Sequence, residues 1–251
     1  VTTIFPEYDW VREIAGENSN VDITMLLDNG VDLHSYQPTA EDIMKISSCD
    51  MFIYVGGESD EWVEDALKES VNKNMKVINL LDVLKDTVKT EEEMDNWPTY
   101  YPAGMTSNEI KEDMLEHEEK EYDEHVWLSL RNAEKLCDAI ADSLCDIDSE
   151  NKNVYSTNAA VYKNKLKELD DQYQDVVKNS TNKTLLFGDR FPFRYMVDDY
   201  GLKYYAAFAG CSAESEASFE TISFLAKKVD ELGLKNVMTI EKSDKNRKRN
   251  L

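Results

Sequence analysis

The sequence predicts an α/β protein of two lobes, each a small parallel sheet covered by helices, joined by one long rigid helix, and three features of its 251 residues carry this reading. Short β-rich runs alternate with longer helical ones through the first half, the pattern of a parallel sheet with crossover helices. A stretch of helical period at 154–178 then interrupts that alternation. The alternation restarts at Thr184 and runs to Ile240.

In order, the first region reads as a strand near 1–5, a helix near 8–16, a strand near 21–27, a helix near 39–47, and strands at 51–55 and 75–80. Residues 81–124 are polar and without clear period, and from Glu109 to Glu124 nine acids stand against two lysines, with His117 among them. That segment reads as an acidic loop. A helix near 130–147 follows. In the segment 154–178, Val154, Val161, Leu166, Leu169, Tyr173 and Val177 recur at mostly helical spacing. Such a helix reaches about 38 Å and is better suited to joining two lobes than to filling one small core. The second region reads as the strand 184–188, a helix near 191–199, the strand 203–208, a helix near 216–232 and the strand 237–240. The expected domains are therefore 1–153, the linking helix 154–178, and 179–251. The tail from Lys245 to Leu251 has no apolar face to bury and is expected to fray.

Composition excludes several function classes. With 51 acidic and 28 basic residues the net charge is -23, so phosphate backbones and anionic lipid surfaces are repelled and nucleic acid is not an expected partner. A divalent cation is attracted by the same field. No run approaches the roughly 18–20 apolar residues of a membrane span. Cys49, Cys137, Cys145 and Cys211 form no C-x-x-C pair and no metal-finger spacing, so buried free thiols are expected. The sequence opens directly on strand-like residues, and an exported protein of this kind is expected to have lost its leader.

The chemistry-bearing candidates are few. Asp28-Asn29-Gly30-Val31-Asp32-Leu33-His34 follows a predicted strand, at the carboxyl end where α/β proteins bind ligands. Of the three histidines, His34 and His125 sit beside carboxylates in loops, and imidazole suits zinc as well as manganese. Asp189 ends the strand 184–188, and Glu241 and Asp244 lie just past the strand 237–240. Two neutral imidazoles and one or two carboxylates would complete a four-coordinate site. Strand-end carboxylates also cap helices and pair with arginine. No H-E-x-x-H, G-x-S-x-G, phosphate loop or G-x-G-x-x-G is present, and Gly56-Gly57 lacks the remaining glycine pattern. A metal held by His, His and Asp could activate water with Glu124 or Glu241 as base, but nothing in the sequence marks either for that role.

Several separated blocks, in order, resemble the helix-hinged (cluster A-I) solute-binding proteins of bacterial zinc and manganese ABC transporters, from Val1 to about Asp244. Thr2-Thr3-Ile4-Phe5-Pro6-Glu7-Tyr8-Asp9 resembles the opening strand and turn. His34-Ser35-Tyr36-Gln37-Pro38-Thr39-Ala40-Glu41-Asp42 resembles the H-x-Y/F-x-P-T/S-x-x-D block that holds the first metal ligand. Tyr122-Asp123-Glu124-His125-Val126-Trp127-Leu128 resembles the D-P-H-x-W-L block that holds the second, and Gly210 to Ser218 the block before the helix of the second lobe.

The resemblance implies extracytoplasmic capture of a divalent metal, zinc first and manganese second, by a monomer in the periplasm or lipid-anchored at the outer face of the membrane. The ion would pass to an ABC permease, with the acidic loop collecting cations, and the protein would not be an enzyme. Counting forward from 184–188 puts Asp189 at the third ligand position, whereas counting back from Tyr195 puts Arg190 there. A guanidinium cannot coordinate a metal, which selects Asp189. The implied ligands are His34, His125 and Asp189, with Asp244 favoured over Glu241, or water, as the fourth. Zn²⁺ affinity should then weaken as pH falls through roughly 6.5. The C-terminal lobe is expected to be incomplete, because the resembled proteins continue with another strand and helix. Two other readings stand beside this one: a metallohydrolase using the same ligands, and a cell-adhesion protein of the same fold with a structural metal.

Overall fold

The computed structural model describes residues 1–17, 20–28, 30–90, 122–208 and 217–240. The chain divides into two compact units, Val1–Val88 with Glu124–Lys178, and Lys89–Asp123 with Asn179–Leu251.

In the first unit, helix α1 spans Phe5–Ala15, α2 Ala40–Ser48, strand β1 Met51–Tyr54, α3 Trp62–Lys68, β2 Lys76–Asn79, and α4 Leu80–Leu84. Two long helices follow, α5 at Leu130–Ile147 and α6 at Lys152–Asn179, the latter within this unit as far as Lys178. Strands β1 and β2 pair in parallel, Met51 opposite Lys76 and Tyr54 opposite Asn79. Trp10, Val11 and Ile14 of α1, Phe52 and Ile53 of β1, and the Leu136 and Ile140 stripe of α5 supply the core.

The expected strands near 1–5 and 21–27 reduce to parallel bridges in which Thr2 joins both Met25 and Ile53. The reason lies in Glu7. Its buried carboxylate accepts the Thr3 N–H at 2.8 Å and the Ile4 N–H at 3.3 Å, and Pro6 needs no donor partner, so the chain turns helical at Phe5, three residues earlier than periodicity suggests. The helix α4, in a segment read as aperiodic, starts where the Asn79 side chain accepts the Asp82 N–H at 3.1 Å.

Helix α6 has 28 residues and its buried face differs from the expected stripe. Tyr155, Ala159, Leu166 and Asp170 are buried, whereas Val154, Val161, Leu169 and Tyr173 are exposed. The face is chosen by specific pairs with α1: Asn158 donates to the Ile14 carbonyl at 3.0 Å, and the Tyr162 hydroxyl donates to Asp9 at 3.3 Å.

In the second unit, β3 (Thr184–Phe187) pairs in parallel with β4 (Lys203–Ala206), and the short helix α7 (Arg194–Asp199) connects them. Helix α8 spans Phe219–Leu232. The expected strand 237–240 is a single bridge from Met238 to Phe187. One side of the sheet packs Leu186, Ala207 and Phe208 on Leu225 of α8. The other side stacks Phe187, Phe191 and Tyr204, with Val197 of α7 beneath them. The Tyr195 hydroxyl ties in the remaining described segments, donating to the Asp123 carbonyl at 2.7 Å and accepting from the Lys89 N–H at 3.1 Å.

Most of the expected acidic loop, with His117, lies outside the described residues, as do Glu241, Asp244, Cys211 and the tail. Cys49, Cys137 and Cys145 are free thiols; Cys137 is buried, and burial pushes its pKa up to about 12, while the other two are half-buried. Among the described residues no helix is long and apolar enough to cross a membrane.

Candidate metal centre

His34 is set by its own loop. The Asp32 carboxylate accepts the His34 N–H at 3.0 Å and starts a single 3-10 turn over Leu33–Ser35. Leu33 and Tyr36 are buried on either side of the turn. The Tyr36 hydroxyl donates to Asp42 at 3.0 Å, and burial followed by that carboxylate raises its pKa well above the usual tyrosine range. Asp42 also accepts the Thr39 N–H at 3.0 Å while Thr39 Oγ1 accepts the Asp42 N–H at 3.2 Å, a capping box that opens α2. The motif from His34 to Asp42 is thus one hydrogen-bonded unit: the helix cap holds the tyrosine, and the tyrosine holds the turn.

His125 lies in the first unit as well, just before a 3-10 turn over Val126–Leu128 that leads into α5. It is buried, Val126 is fully buried, and the Trp127 ring lies 5.2 Å from the imidazole. Ser129 caps α5 by accepting the Asn132 N–H at 3.1 Å, which fixes where the turn ends. Segments 91 residues apart, by subtraction of 34 from 125, so bring the two imidazoles together with ring centres 5.4 Å apart and planes at 49°.

That spacing can be compared with what a shared ion requires. An imidazole nitrogen binds zinc at about 2.0–2.1 Å, which puts the ion about 3.2 Å from the ring centre, so two rings at a tetrahedral angle stand about 5.2 Å apart. The observed separation fits.

A third group, Glu124, reaches the same place. Its Oε1 accepts the Ser59 N–H at 2.9 Å, and its Oε2 lies 3.6 Å from His34 Nδ1. Ser59 Oγ is 2.9 Å from the same Nδ1. Ser59 belongs to the turn Glu58–Asp60 that follows Gly56-Gly57 at the end of β1. Gly57 has φ 80° and ψ -166°, and a Cβ placed there would lie 2.4 Å from Glu124 Oε1. Only glycine lets this carboxylate in. Asp60, also buried, accepts the Gly56 N–H at 2.9 Å; burial, with the Glu124 charge adding to it, pushes its pKa up to about 6. Sequence reasoning weighed Glu124 only as a base for metal-bound water and did not single out Ser59 or Asp60. Their signal was Gly56-Gly57, which sequence reasoning tests only against phosphate-binding glycine loops.

Asp189 lies in the second unit, buried, one residue beyond Gly188 at the end of β3. Its Oδ1 accepts the Arg190 N–H at 2.9 Å, and its backbone carbonyl accepts the Ala207 N–H at 3.3 Å. Asp244 and Glu241 lie outside the described residues. Among the described residues no group of three or more His, Cys, Asp or Glu side chains already forms a cluster able to hold an ion. The two imidazoles are the candidates that the structure brings together.

Comparison with known proteins bears on the family and the fold. The sequence model of the family described as "Zinc-uptake complex component A periplasmic" (ZnuA) matches residues 1–251. The zinc-binding lipoprotein AdcA of Streptococcus pneumoniae (strain ATCC BAA-255 / R6) is 31% identical over 229 residues, covering 91% of this chain and 42% of that protein. The high-affinity zinc uptake system protein ZnuA of Bacillus subtilis (strain 168) is 28% identical over 228 residues, covering 90% of this chain and 65% of its own length. The chain therefore spans less than half of the streptococcal relative. Among solved structures, Zn(II)-bound AdcA from S. pneumoniae superposes with a TM-score of 0.70 at 28% identity, over 98% of this chain and 46% of that one. The S. pneumoniae AdcAII protein superposes at 0.73 and 26% identity, over 99% of this chain and 82% of that one.

Proposed function

The chain belongs to the ZnuA family of zinc-uptake components, and on that footing we propose that it captures Zn²⁺ reversibly outside the cytoplasm and hands it to the permease of an ABC uptake system. His34 and His125 supply the nitrogen donors. Asp189 supplies an oxygen donor, and Asp244, Glu241 or water completes four-coordination. The observation that carries this reading is the 5.4 Å separation of the two imidazoles, matched to the spacing that a tetrahedral ion imposes. The relatives named as zinc-binding and zinc-uptake proteins support the choice of cargo.

The role is binding rather than catalysis. A hydrolytic zinc site needs an open coordination position and a base poised over it, and Glu124 instead spends its carboxylate on Ser59 and on the Nδ1 side of His34. We take the protein to act as a monomer, periplasmic or lipid-anchored, with residues 1–153 as the N-terminal metal-binding lobe, 154–178 as the linking helix and 179–251 as the C-terminal lobe. Manganese is the second reading, favoured by the oxygen donor Asp189.

The test is a Zn²⁺ titration of the 251-residue chain with Mn²⁺ as competitor. One tight site that Zn²⁺ wins, lost in His34→Ala, is the expected result. Full Zn²⁺ affinity in His34→Ala and His125→Ala alike would remove the assignment.

A further inference from the structure

The contacts of His34 Nδ1 have a chemical consequence. Imidazole binds a metal through the nitrogen that carries no proton, so whichever nitrogen is protonated decides which one can bind. Around Nδ1 the structure gathers the Ser59 hydroxyl at 2.9 Å and the Glu124 Oε2 oxygen at 3.6 Å. An ionised carboxylate only accepts, whereas a serine hydroxyl accepts or donates. Glu124 Oε2 is buried without a hydrogen-bond partner, and a lone pair on Nδ1 would face that oxygen, so the geometry favours the form with the proton on Nδ1 and the lone pair on Nε2.

Glu124 is itself held firmly. It is buried, its other oxygen is fixed by the Ser59 N–H at 2.9 Å, and the missing Cβ of Gly57 makes its room. The same residue thus accepts from the backbone of the turn that carries the Ser59 hydroxyl and places its second oxygen 3.6 Å from the imidazole that this hydroxyl meets. It also directly precedes His125, so a single segment, Glu124-His125, provides one imidazole and orients the other.

We propose that Glu124, acting with Ser59 across the Gly57 gap, is a positioning residue that holds His34 as the Nδ1–H tautomer and presents Nε2 to the cargo ion. The inference rests on the reading of His34 as a ligand. Removing partners of this kind from metal-bound histidines costs roughly 10–100-fold in metal affinity.

The experiment uses the whole 251-residue chain, Zn²⁺ as probe, and long-range nitrogen–proton NMR to read the His34 tautomer at about pH 8, where an ordinary imidazole is neutral. The zinc-free protein should show Nδ1 protonated. In Glu124→Gln the shape is kept, but the amide can turn its NH₂ toward Nδ1; the Nε2–H tautomer should gain population and Zn²⁺ affinity should fall about 10–100-fold. Ser59→Ala should leave the tautomer unchanged, because the carboxylate remains. An Nε2–H tautomer in the unsubstituted protein overturns the proposal, and that spectrum decides even if a variant does not fold. Unchanged tautomer and affinity in Glu124→Gln also overturn it. His34→Ala separates the two levels: if it keeps full affinity the ligand reading fails, and if it loses affinity while Glu124→Gln does not, only the positioning role fails.

Discussion

The two units are built alike, and Glu7 and Asp60 of the first meet surroundings opposite to those of Asp198 in the second. Each rests on one short pair of parallel strands with helices packed on it. In the first, Glu7, Asp60 and Glu124 are buried and held by backbone N–H groups of Thr3, Gly56 and Ser59. Burial drives the pKa of Glu7 well above the usual carboxylate range and that of Asp60 to about 6. In the second unit, Asp198 meets cations, Lys89 at 2.6 Å and Arg194 at 3.0 Å. Although burial pushes the Asp198 carboxyl up, those two hydrogen bonds outweigh it and hold it below the usual range. The contrast indicates that burial of Glu7 and Asp60 costs the first unit some stability, whereas the cations around Asp198 add to that of the second.

The largest expected effect concerns the donors. A four-ligand zinc site gains roughly 10–16 kcal/mol in all, about 3 kcal/mol per ligand, so His125→Ala should weaken Zn²⁺ binding by at least about 100-fold. Asp189→Ala in the second unit should cost less, about 10-fold, because water can replace one oxygen donor. Equal losses, measured by competition with a chelator of known affinity, would break the division of labour between pre-assembled nitrogens and a supplementary oxygen.

Next come two glycines with positive φ. Gly57→Ala meets both a backbone region that essentially only glycine occupies and the Glu124 oxygen at 2.4 Å, so a loss of roughly 3 kcal/mol is expected. Gly233, which ends α8 at φ 58° and ψ 36°, has nothing within 4 Å of a Cβ, so Gly233→Ala should cost about 1 kcal/mol. Urea unfolding of both variants measures the difference. Similar costs would mean that the close approach of Glu124 is not a constraint on the fold.

These glycines also show where sequence reasoning stops. Helices α2 and α5 and strands β1 to β4 were legible because each carries its own period or a cap, such as Thr39 with Asp42 or Ser129 before α5. The α6 face was not. Its buried positions include Ala159 and Asp170, which do not count as apolar markers, and Val154 and Val161, which mark the helical period, are exposed. The bridges at Thr2, Met25 and Met238 carry β-forming residues, but their partners lie far along the chain, and pairing of that kind leaves no local mark. The blocks around His34 and His125 single out two histidines whose rings the structure brings to 5.4 Å. Glu124 stands where the D-P-H-x-W-L block has proline, and its role depends on a gap left by Gly57, 67 residues earlier by subtraction of 57 from 124.

The buried acids of the first unit can be tested through pH. Asp60 has its folded pKa raised to about 6 from 3.8, so the folded state binds the extra proton between those values, and stability falls as pH rises through that window. Asp60→Asn retains an acceptor for the Gly56 N–H and removes the charge. The variant should be more stable than the unsubstituted protein at pH 8, on the order of 2 kcal/mol, with the gain vanishing near pH 4. Urea midpoints across that range report it, and a gain independent of pH would show that ionisation of Asp60 is not its source.

The smallest effect belongs to the second unit and has the opposite sign. Asp198 has a depressed folded pKa, so its contribution is present above the ordinary value of 3.8 and is lost as pH falls through the lower folded value. The Lys89 and Asp198 side chains are about one-third exposed, 36% and 32%, so solvent screens much of their attraction. Lys89→Met should therefore destabilise by under about 1 kcal/mol at pH 7, and by less still in high salt. The difference should shrink as pH falls below the ordinary carboxylate range and Asp198 takes up its proton. A Lys89→Met loss larger than the Asp60→Asn gain would reverse the comparison: the cationic pair of the second unit, rather than the buried acids of the first, would then be the dominant electrostatic influence on folding.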